Sequence, residues 1–246
     1  YDRKVNIIDY LKYFMIIVIT GGSRGIGKAT ALKFAGAGHQ LILCSKSKEH
    51  LENAQLEITT KFPEVKINIY NADLSVKSEI ENFAKFCLSI GTPDILLNNA
   101  GIYEPGKCFD EENDHMEKMM AINFYSAYYL TRALLPAMVE KKSGHIFNMC
   151  SIASLHAYEG GGGYSVSKFA LNGFSQNLRH ELKNLGVKVT TIFPGAVHTD
   201  TWGDFDNSNK RIMEANDIAE MIFACTKLSQ QAVVEQIVIR PQLGDL

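Results

Sequence analysis

The segment MIIVITGGSRGIG, residues 15–27, decides the fold of this 246-residue chain. Its first five residues form a continuous apolar run, which predicts a β-strand buried on both faces. The glycines that follow let the backbone turn tightly and approach a phosphate group closely, and the helix that opens after them attracts an anion with its free N–H groups. The spacing T-G-x-x-x-G-x-G differs from the commoner G-x-G-x-x-G fingerprint. The segment therefore predicts a strand, a nucleotide phosphate site and a helix, in that order.

Six further apolar runs follow the first, at residues 40–44, 65–70, 94–97, 145–150, 187–193 and 236–239. The intervals show helical periodicity at residues 27–37, 51–60, 77–90, 114–140, 164–185 and 217–227. Strands that alternate with helices and are apolar throughout are typical of a parallel sheet covered on both faces. We therefore expect an α/β, doubly wound Rossmann fold with a seven-stranded parallel sheet in the order 3-2-1-4-5-6-7 and helices on both faces.

Composition limits the function classes. Residues 15–246 are long enough for one domain, and residues 1–14 form an N-terminal extension of unknown role. A net charge of −2 offers no basic surface for nucleic acid, and the first apolar run is far shorter than the roughly 18 residues of a membrane span. The cysteines are odd in number and widely spaced, which predicts neither disulfides nor a metal site and favours the cytoplasm (Cys44, Cys87, Cys108, Cys150, Cys225).

The residues after the second strand indicate which nicotinamide cofactor the chain binds. An acid at this position usually binds the ribose hydroxyls of NAD, whereas this chain has Ser45 and Lys46. A hydroxyl and an ammonium suit a 2′-phosphate, and Arg24 in the glycine turn adds a second cation. These residues favour NADP(H) over NAD(H). In the alternative interpretation the three are ordinary solvated surface residues.

A tyrosine and a lysine are spaced for acid–base chemistry. Lys168 follows Tyr164 by four residues within a predicted helix, so the two share a face. A nearby ammonium stabilises a phenolate and lowers the pKa of a tyrosine, which then both gives and takes a proton. Isolated Y-x-x-x-K matches are common by chance, so this pair needs support from its surroundings.

That support comes from several motifs in a fixed order. They are residues 20–27, Asn98-Asn99-Ala100-Gly101 after the fourth strand, Asn123, Ser151 thirteen residues before Tyr164, Lys168, Pro194-Gly195 and Thr199. From residue 15 to about residue 240 the chain resembles the short-chain dehydrogenase/reductase family, and in particular its 3-oxoacyl reductases and short hydroxy-acid dehydrogenases.

The resemblance implies a catalytic tetrad. Tyr164 is expected to be the general acid in carbonyl reduction and the base in alcohol oxidation, and Ser151 to hold the substrate oxygen. Asn123 is expected to keep a proton-relay water in place, and Lys168 to bind the nicotinamide ribose and lower the pKa of Tyr164. Two alternatives stay open: Asn123 is a helix-interior residue bonded to a neighbouring backbone, or Ser154 replaces Ser151.

The resemblance and the glycine turn together give a set of expected cofactor contacts. The set comprises Gly21, Ser23, Arg24, Gly25, Ile26, Gly27, Ser45, Lys46, Asp73, Leu74, Asn99, Ala100, Gly101, Tyr164, Lys168, Pro194, Gly195, Val197 and Thr199. Asp73 has an alternative role as a helix-capping acid, and His198 beside the nicotinamide loop is interpreted as a residue of no special role.

The expected function is NADP(H)-dependent reduction of a small or extended ketone or aldehyde. Residues 201–215, where the family places its substrate lid, are short and polar, with apolar walls available from Trp202, Phe205 and Tyr158. Residues 160–163 are four glycines that form either a flexible loop or a mobile wall of the cleft. The alternatives are an NAD-dependent alcohol dehydrogenase and a non-catalytic NADP(H) sensor.

A homo-oligomer is the expected assembly. Helices 114–140 and 164–185 carry more apolar residues than one buried face requires. Family members usually pair these helices into dimers and tetramers, so we expect a dimer or homotetramer. The only other partner expected is a small-molecule carbonyl or alcohol.

Overall fold

The computed structural model describes residues 14–244. The predicted extension lies outside the described residues except for Phe14, so the domain boundary at residue 15 stays a prediction. The strands of the main sheet are β1 (Ile16–Thr20), β2 (Gln40–Ser45), β3 (Ile67–Asn71), β4 (Ile95–Asn98), β5 (Gly144–Met149), β6 (Val187–Pro194) and β9 (Gln236–Ile239). The helices are α1 (Gly25–Gly36), α2 (Lys48–Lys61), α3 (Lys77–Ile90), α4 (His115–Met119), α5 (Ser126–Lys141), α6 (Gly162–Leu182) and α7 (Ala215–Thr226).

The sheet has seven strands in the order β3-β2-β1-β4-β5-β6-β9, and every pairing is parallel. The predicted order is confirmed. Its last strand is the ninth of the chain because the prediction missed two short strands, β7 (Val197–His198) and β8 (Met213–Glu214), which pair with each other. Runs of two residues are too short to show a strand pattern.

Helices cover both faces of the sheet, as predicted. On one face Phe34 of α1, Ile58 of α2 and Ile222 of α7 pack against strand side chains such as Ile17. On the other face α3, α5 and α6 pack against a second set of strand side chains. Neighbouring strand residues point to opposite faces, and each fully buried aliphatic or aromatic side chain contributes about 1.5–3 kcal/mol. This two-sided burial explains why the strands read as continuous apolar runs.

The prediction of one continuous helix over residues 114–140 is wrong. That stretch consists of α4, a π-helical segment (Met120–Tyr125) and α5, and Asp114 lies before α4 with a φ of 69°. A π-helical turn holds one more residue than an α-helical turn, and apolar periodicity does not distinguish the two. Helix α6 begins two residues before its predicted start and ends at Leu182.

Buried polar side chains join the carboxyl ends of the central strands to the helices behind them. Asn98 of β4 donates to Thr131 of α5 at 3.0 Å and to Asn148 of β5 at 2.8 Å. Asn148 donates in turn to Ser175 of α6 at 2.8 Å. Since breaking a buried hydrogen bond leaves an unsatisfied group, this network fixes α5 and α6 against the sheet edge that carries the candidate site.

Candidate functional site

The turn between β1 and α1 has the geometry of an anion-binding site. Gly21 and Gly25 adopt φ angles of 64° and 53°, which favour glycine, and a Cβ on Gly27 would collide with the carbonyl oxygen of Gly21. Helix α1 has no side-chain cap and no acid in its first turn. No carboxylate of its own first turn therefore competes for the first N–H groups of α1, and these residues fit a pyrophosphate.

The end of β4 holds this turn in place. The Thr20 hydroxyl accepts hydrogen bonds from the backbone N–H groups of Asn99 and Ala100 at 2.9 and 3.0 Å. The Asn99 amide donates to the carbonyl oxygens of Thr20 and Gly21 at 3.0 and 3.2 Å. The side chain of Asn99 is thus used to position the turn.

The predicted 2′-phosphate residues lie at the surface, and their cations are paired. The Ser23 and Ser45 hydroxyls are 2.9 Å apart. Lys46, whose side chain is 75% exposed, contacts Asp73 at 2.7 Å, and Arg24 contacts Asp200 at 3.3 Å. The hydrogen bond to Asp73 raises the pKa of Lys46. Both cations are accessible to an anion that displaces a carboxylate.

Asp73 is part of a turn in this structure. Its carboxylate accepts from the backbone N–H and the hydroxyl of Ser75 at 2.9 and 2.7 Å. Burial raises the pKa of Asp73, but the hydrogen bonds from Lys46 and Ser75 outweigh it and lower the pKa to about 2. Asp73 thus stabilises the turn before α3, but the cap residue of that helix is Val76, and the expected contact of Asp73 with the cofactor stays a prediction.

Several other expected cofactor contacts have side chains directed into the protein. Leu74 and Val197 are each 6% exposed, and Ile26 packs against the core. Gly195, directly after Pro194 at the end of β6, donates its N–H to the carbonyl oxygen of Ile239 at 2.8 Å. A Cβ on Gly25 would lie 3.2 Å from the Thr199 methyl, so this loop approaches the glycine turn closely.

The catalytic candidates meet at the carboxyl end of β5. Ser151 follows β5, and its hydroxyl lies near enough to Tyr164 to lower the pKa of the phenol. Lys168, which is 3% exposed, donates from Nζ to the carbonyl oxygen of Met149 at 2.8 Å, and Nζ lies 5.8 Å from the centre of the Tyr164 ring. A Cβ on Gly101 would lie 3.3 Å from Nζ of Lys168 and 3.2 Å from Oδ1 of Asn123. The structure therefore brings the four catalytic candidates and Gly101 together.

The pKa of Tyr164 differs from the sequence expectation. Burial raises it, and the hydrogen bond from Ser151 only partly offsets that effect. Burial also lowers the pKa of Lys168, to about 8. The expectation that Lys168 lowers the pKa of Tyr164 is not met here because the desolvation of the phenol dominates and the ammonium is bonded to Met149.

Asn123 lies in the π-helical segment and is 1% exposed. Its Oδ1 accepts from the N–H of Ile102 at 2.8 Å, and its Nδ2 donates to the Ile102 carbonyl oxygen at 3.0 Å and to the Ser167 hydroxyl at 2.9 Å. Both amide N–H donors are used within the protein. These bonds include the backbone contact of the alternative interpretation, and the expected role of Asn123 in holding a proton-relay water stays a prediction.

Ser154 is separated from Tyr164 by its own hydrogen bonds. It is 1% exposed, accepts from the N–H of Ser151 at 3.1 Å and donates to the Ser151 carbonyl oxygen. Both hydroxyls cap the turn Ile152–Ser154, since that of Ser151 accepts from the N–H of Ala153 at 3.1 Å, but it is the Ser151 hydroxyl that lowers the pKa of Tyr164. The geometry favours Ser151 over Ser154.

Three residues near the site were missed by the sequence analysis. Tyr103 packs edge-on against the Tyr164 ring with centroids 5.1 Å apart, and it also lies near Tyr158, whose pKa is raised mainly by burial. Asn71 donates to the carbonyl oxygens of Ser45 and Lys46 at 2.9 and 2.8 Å. Glu111 contacts the start of α6. These residues belong to loops or a strand end, where no periodicity identifies them.

The segment 201–215 is polar, as the sequence shows, but it is organised. Asn207 is 8% exposed and bonds to both N–H and C=O of Ile212. Trp202 and Phe205 pack together with ring centroids 5.3 Å apart. The two aromatic residues therefore form one apolar surface on this segment.

Within residues 14–244 no helix combines the length and apolarity needed to cross a membrane, and no three His, Cys, Asp or Glu side chains are grouped as metal ligands.

Known proteins resemble the chain over nearly its whole length. A family model described as short chain dehydrogenase matches residues 15–210. The sepiapterin reductase of Chlorobaculum tepidum is 31% identical over 240 residues, covering 94% of this chain and 98% of that protein. A metagenomic short-chain oxidoreductase in complex with NADP is 30% identical, with a TM-score of 0.81 and coverage of 93% and 97%. An alcohol dehydrogenase of Thermococcus sibiricus complexed with 5-hydroxy-NADP is 25% identical, with a TM-score of 0.87 and coverage of 95% and 99%.

Proposed function

Because the chain belongs to the short-chain dehydrogenase family, we propose that it is an NADP(H)-dependent oxidoreductase that interconverts a carbonyl compound and an alcohol. The observation that carries this proposal is the grouping of Tyr164, Ser151 and the buried Lys168 at the sheet edge that also holds the glycine turn. A proton donor and a nucleotide phosphate site at one edge are what such a reaction requires.

The cofactor would lie along this edge. The N–H groups at the start of α1 would bind the pyrophosphate, and Ser23, Ser45, Lys46 and Arg24 would surround a 2′-phosphate. NADP or its analogue is bound in both related structures. When bound, the cofactor supplies the hydride that this chain's side chains do not have.

Tyr164 would handle the proton. Its raised pKa keeps the phenol protonated at neutral pH, so that it donates a proton to the carbonyl oxygen during reduction. The Ser151 hydroxyl would hold the same oxygen, and the Lys168 ammonium, close to Gly101 and Asn123, would bind the ribose and balance the phenolate that forms. In alcohol oxidation the same groups act in reverse.

Two alternatives from the sequence are less well supported. An NAD-dependent alcohol dehydrogenase would place an acid after β2, where Ser45 and Lys46 stand. A sensor that binds NADP(H) without turnover has no need of Ser151 and a buried Lys168 beside a tyrosine.

The experiment is reduction of a carbonyl panel with NADPH, followed at the nicotinamide absorbance. Sepiapterin belongs in the panel because a relative carries the name sepiapterin reductase. Tyr164→Phe should lower the rate by about 10²–10⁴ while NADPH still binds. Tyr70→Phe, which removes a hydroxyl from the outer strand β3, is the matched control. Full activity of the Tyr164→Phe variant would disprove the mechanism.

We further propose a homo-oligomer, either a dimer or a tetramer. Tyr125, Val166 and Phe169 are 43–45% exposed, and Tyr125 stacks on Tyr129 with centroids 5.9 Å apart. These side chains extend the apolar surface of α5 and α6. Light scattering at micromolar concentration tests the proposal, which a monomeric mass contradicts.

The cytoplasm remains the proposed location. All five cysteines lie within residues 14–244, where each is free, and four of them are buried. Free cysteines are usual in a reducing compartment. Fractionation of the native host tests this, and recovery outside the cytoplasm contradicts it.

A further inference from the structure

The loop between β4 and α4, residues 99–114, lies against the N-terminus of α6. Oε2 of Glu111 accepts a hydrogen bond from the N–H of Gly163 at 2.9 Å. The N–H of Gly106 donates to the Gly160 carbonyl oxygen at 3.4 Å. The loop is therefore fastened to the glycine run 160–163 immediately before Tyr164.

The glycines are needed for this approach. A Cβ on Gly106 would lie 2.5 Å from Cβ of Glu111, and one on Gly162 would lie 2.7 Å from Oε2 of Glu111. A Cβ on Gly163 would lie 2.9 Å from Cε of Met119 and 3.2 Å from the Glu111 carboxylate. Close contact of the two segments, rather than flexibility, explains Gly162 and Gly163, and the packing of the loop on itself explains Gly106.

Glu111 caps the N-terminus of helix α6. The helix has no side-chain cap from its own N-cap residue and no acid in its own first turn. The first N–H groups of a helix need an acceptor and attract negative charge. Glu111, which is 52 residues away in the sequence, supplies both.

The same loop contacts the catalytic side chains at its other end. Ile102 exchanges two hydrogen bonds with Asn123, and Tyr103 packs edge-on against Tyr164. The loop is thus fixed at one end to Asn123 and Tyr164 and at the other end to the start of the helix that carries Tyr164.

We propose that Glu111 is a positioning residue that clamps the 99–114 loop to α6 and thereby sets the position of Tyr164 relative to Tyr103 and the substrate. This inference rests on the proposed function, since it assigns Glu111 a part in the reaction of Tyr164. The carboxylate itself contacts neither substrate nor cofactor in this scheme.

The test compares Glu111→Ala, Glu111→Gln and the control Asp110→Asn, which removes a charge from the same loop. A misplaced reacting group lowers the rate up to about a hundredfold, so Glu111→Ala should lower kcat for carbonyl reduction about tenfold or more. The Kd of NADPH should change less than about twofold. Glu111→Gln keeps an acceptor oxygen for Gly163 and should recover most of kcat, and Asp110→Asn should match the wild type.

A second pair of variants tests the contact between the loop and α6 without changing Glu111. Gly162→Ala, at a φ of +32°, forces the two segments apart and should lower kcat as Glu111→Ala does, whereas a Cβ on Gly173 of the same helix meets open space. Gly173→Ala should leave kcat unchanged.

Three results would overturn the inference: wild-type kcat in Glu111→Ala, equal loss in Glu111→Gln and Glu111→Ala, or a loss of NADPH binding that parallels the loss of kcat. The proposed function is tested separately. If Tyr164→Phe is inactive and Glu111→Ala is normal, only the clamp is wrong; if Tyr164→Phe is fully active, the proposed mechanism is wrong.

Discussion

Two lysines at opposite ends of the candidate site have different surroundings, and this difference suits them to different functions. Lys46, beside the glycine turn, is 75% exposed and pairs with Asp73, and its pKa is raised by that carboxylate. Lys168, beside Tyr164, is 3% exposed and bonds to a backbone carbonyl, and burial lowers its pKa to about 8. Lys46 at the nucleotide end is therefore a surface charge that can exchange its carboxylate partner for a phosphate. Lys168 at the catalytic end is a buried charge that is held in one position.

This difference predicts how each end responds to substitution. An exposed ion pair is screened by salt and contributes little to stability, so changes there should alter cofactor choice and leave the fold intact. A buried ammonium with no carboxylate partner destabilises the fold while it strengthens electrostatic interactions within the site. Changes at Lys168 should therefore lower activity while they raise stability.

Of the two lysines, Lys168 gives the larger expected effect: Lys168→Met should lower carbonyl reduction about a hundredfold or more because the charge beside Tyr164 is lost. The variant should also change how stability depends on pH. In the wild type the pKa of Lys168 lies near 8, below its ordinary 10.5. Between these values the unfolded chain holds more protons than the folded one, so wild-type stability rises with pH across this window.

The methionine variant lacks that rise. Its advantage in free energy of unfolding over the wild type should therefore shrink by roughly 3 kcal/mol between pH 8 and 10.5, since one pKa unit corresponds to about 1.4 kcal/mol. Urea unfolding of both proteins across this range measures it. A constant difference would show that Lys168 has an ordinary pKa in the folded protein.

Lys46→Asp should have an intermediate effect. A second carboxylate beside Asp73 would repel a 2′-phosphate, so the KM for NADPH should rise about tenfold or more, as for other like-charge contacts, while the KM for NADH does not rise. Lys48→Asp, two residues further on and paired with Glu52 at 3.7 Å, is the control. Unchanged NADPH kinetics would remove Lys46 from the cofactor site and support its interpretation as a surface charge.

The smallest expected effect is that of Asp200→Asn. The Arg24–Asp200 pair is 61% exposed on both sides, and such pairs contribute at most about 1 kcal/mol. Releasing Arg24 should tighten NADPH binding about twofold at low salt, measured by fluorescence titration, with no change in melting temperature. Weaker binding in the variant would mean that Asp200 itself supports the cofactor.

The fold could be predicted because its signals are local and repeated. Seven apolar runs separated by helical periodicity define the sheet, and residues 15–27 show where the nucleotide end lies. The π-helical segment was not predicted because the apolar pattern of Met120–Tyr125 is the same as that of an ordinary α-helix. The strands β7 and β8 were not predicted because each has two residues, which are too few to show a strand pattern.

The site was harder to predict than the fold. The structure brings Ser151, Tyr164 and Lys168 together, and the spacing of their motif placed them on neighbouring elements. What each side chain does there depends on distant partners: Glu111 meets Gly163 across 52 residues, and Asn123 meets Ile102 across 21. The balance between burial and charge at Tyr164 is likewise a property of the packed structure, which no motif contains.

The π-helical segment also determines which mutations the chain tolerates. One residue more than an α-helical turn rotates everything after it by roughly 100° about the helix axis. Asn123 lies inside this segment, and the tyrosines of α5 follow it. They therefore face their partners only while the segment keeps its six residues. Substitutions within this segment preserve that phase, but a single-residue deletion would turn either Asn123 or the outer aromatic face away. This stretch should thus vary in composition among descendants of the gene while its length stays constant.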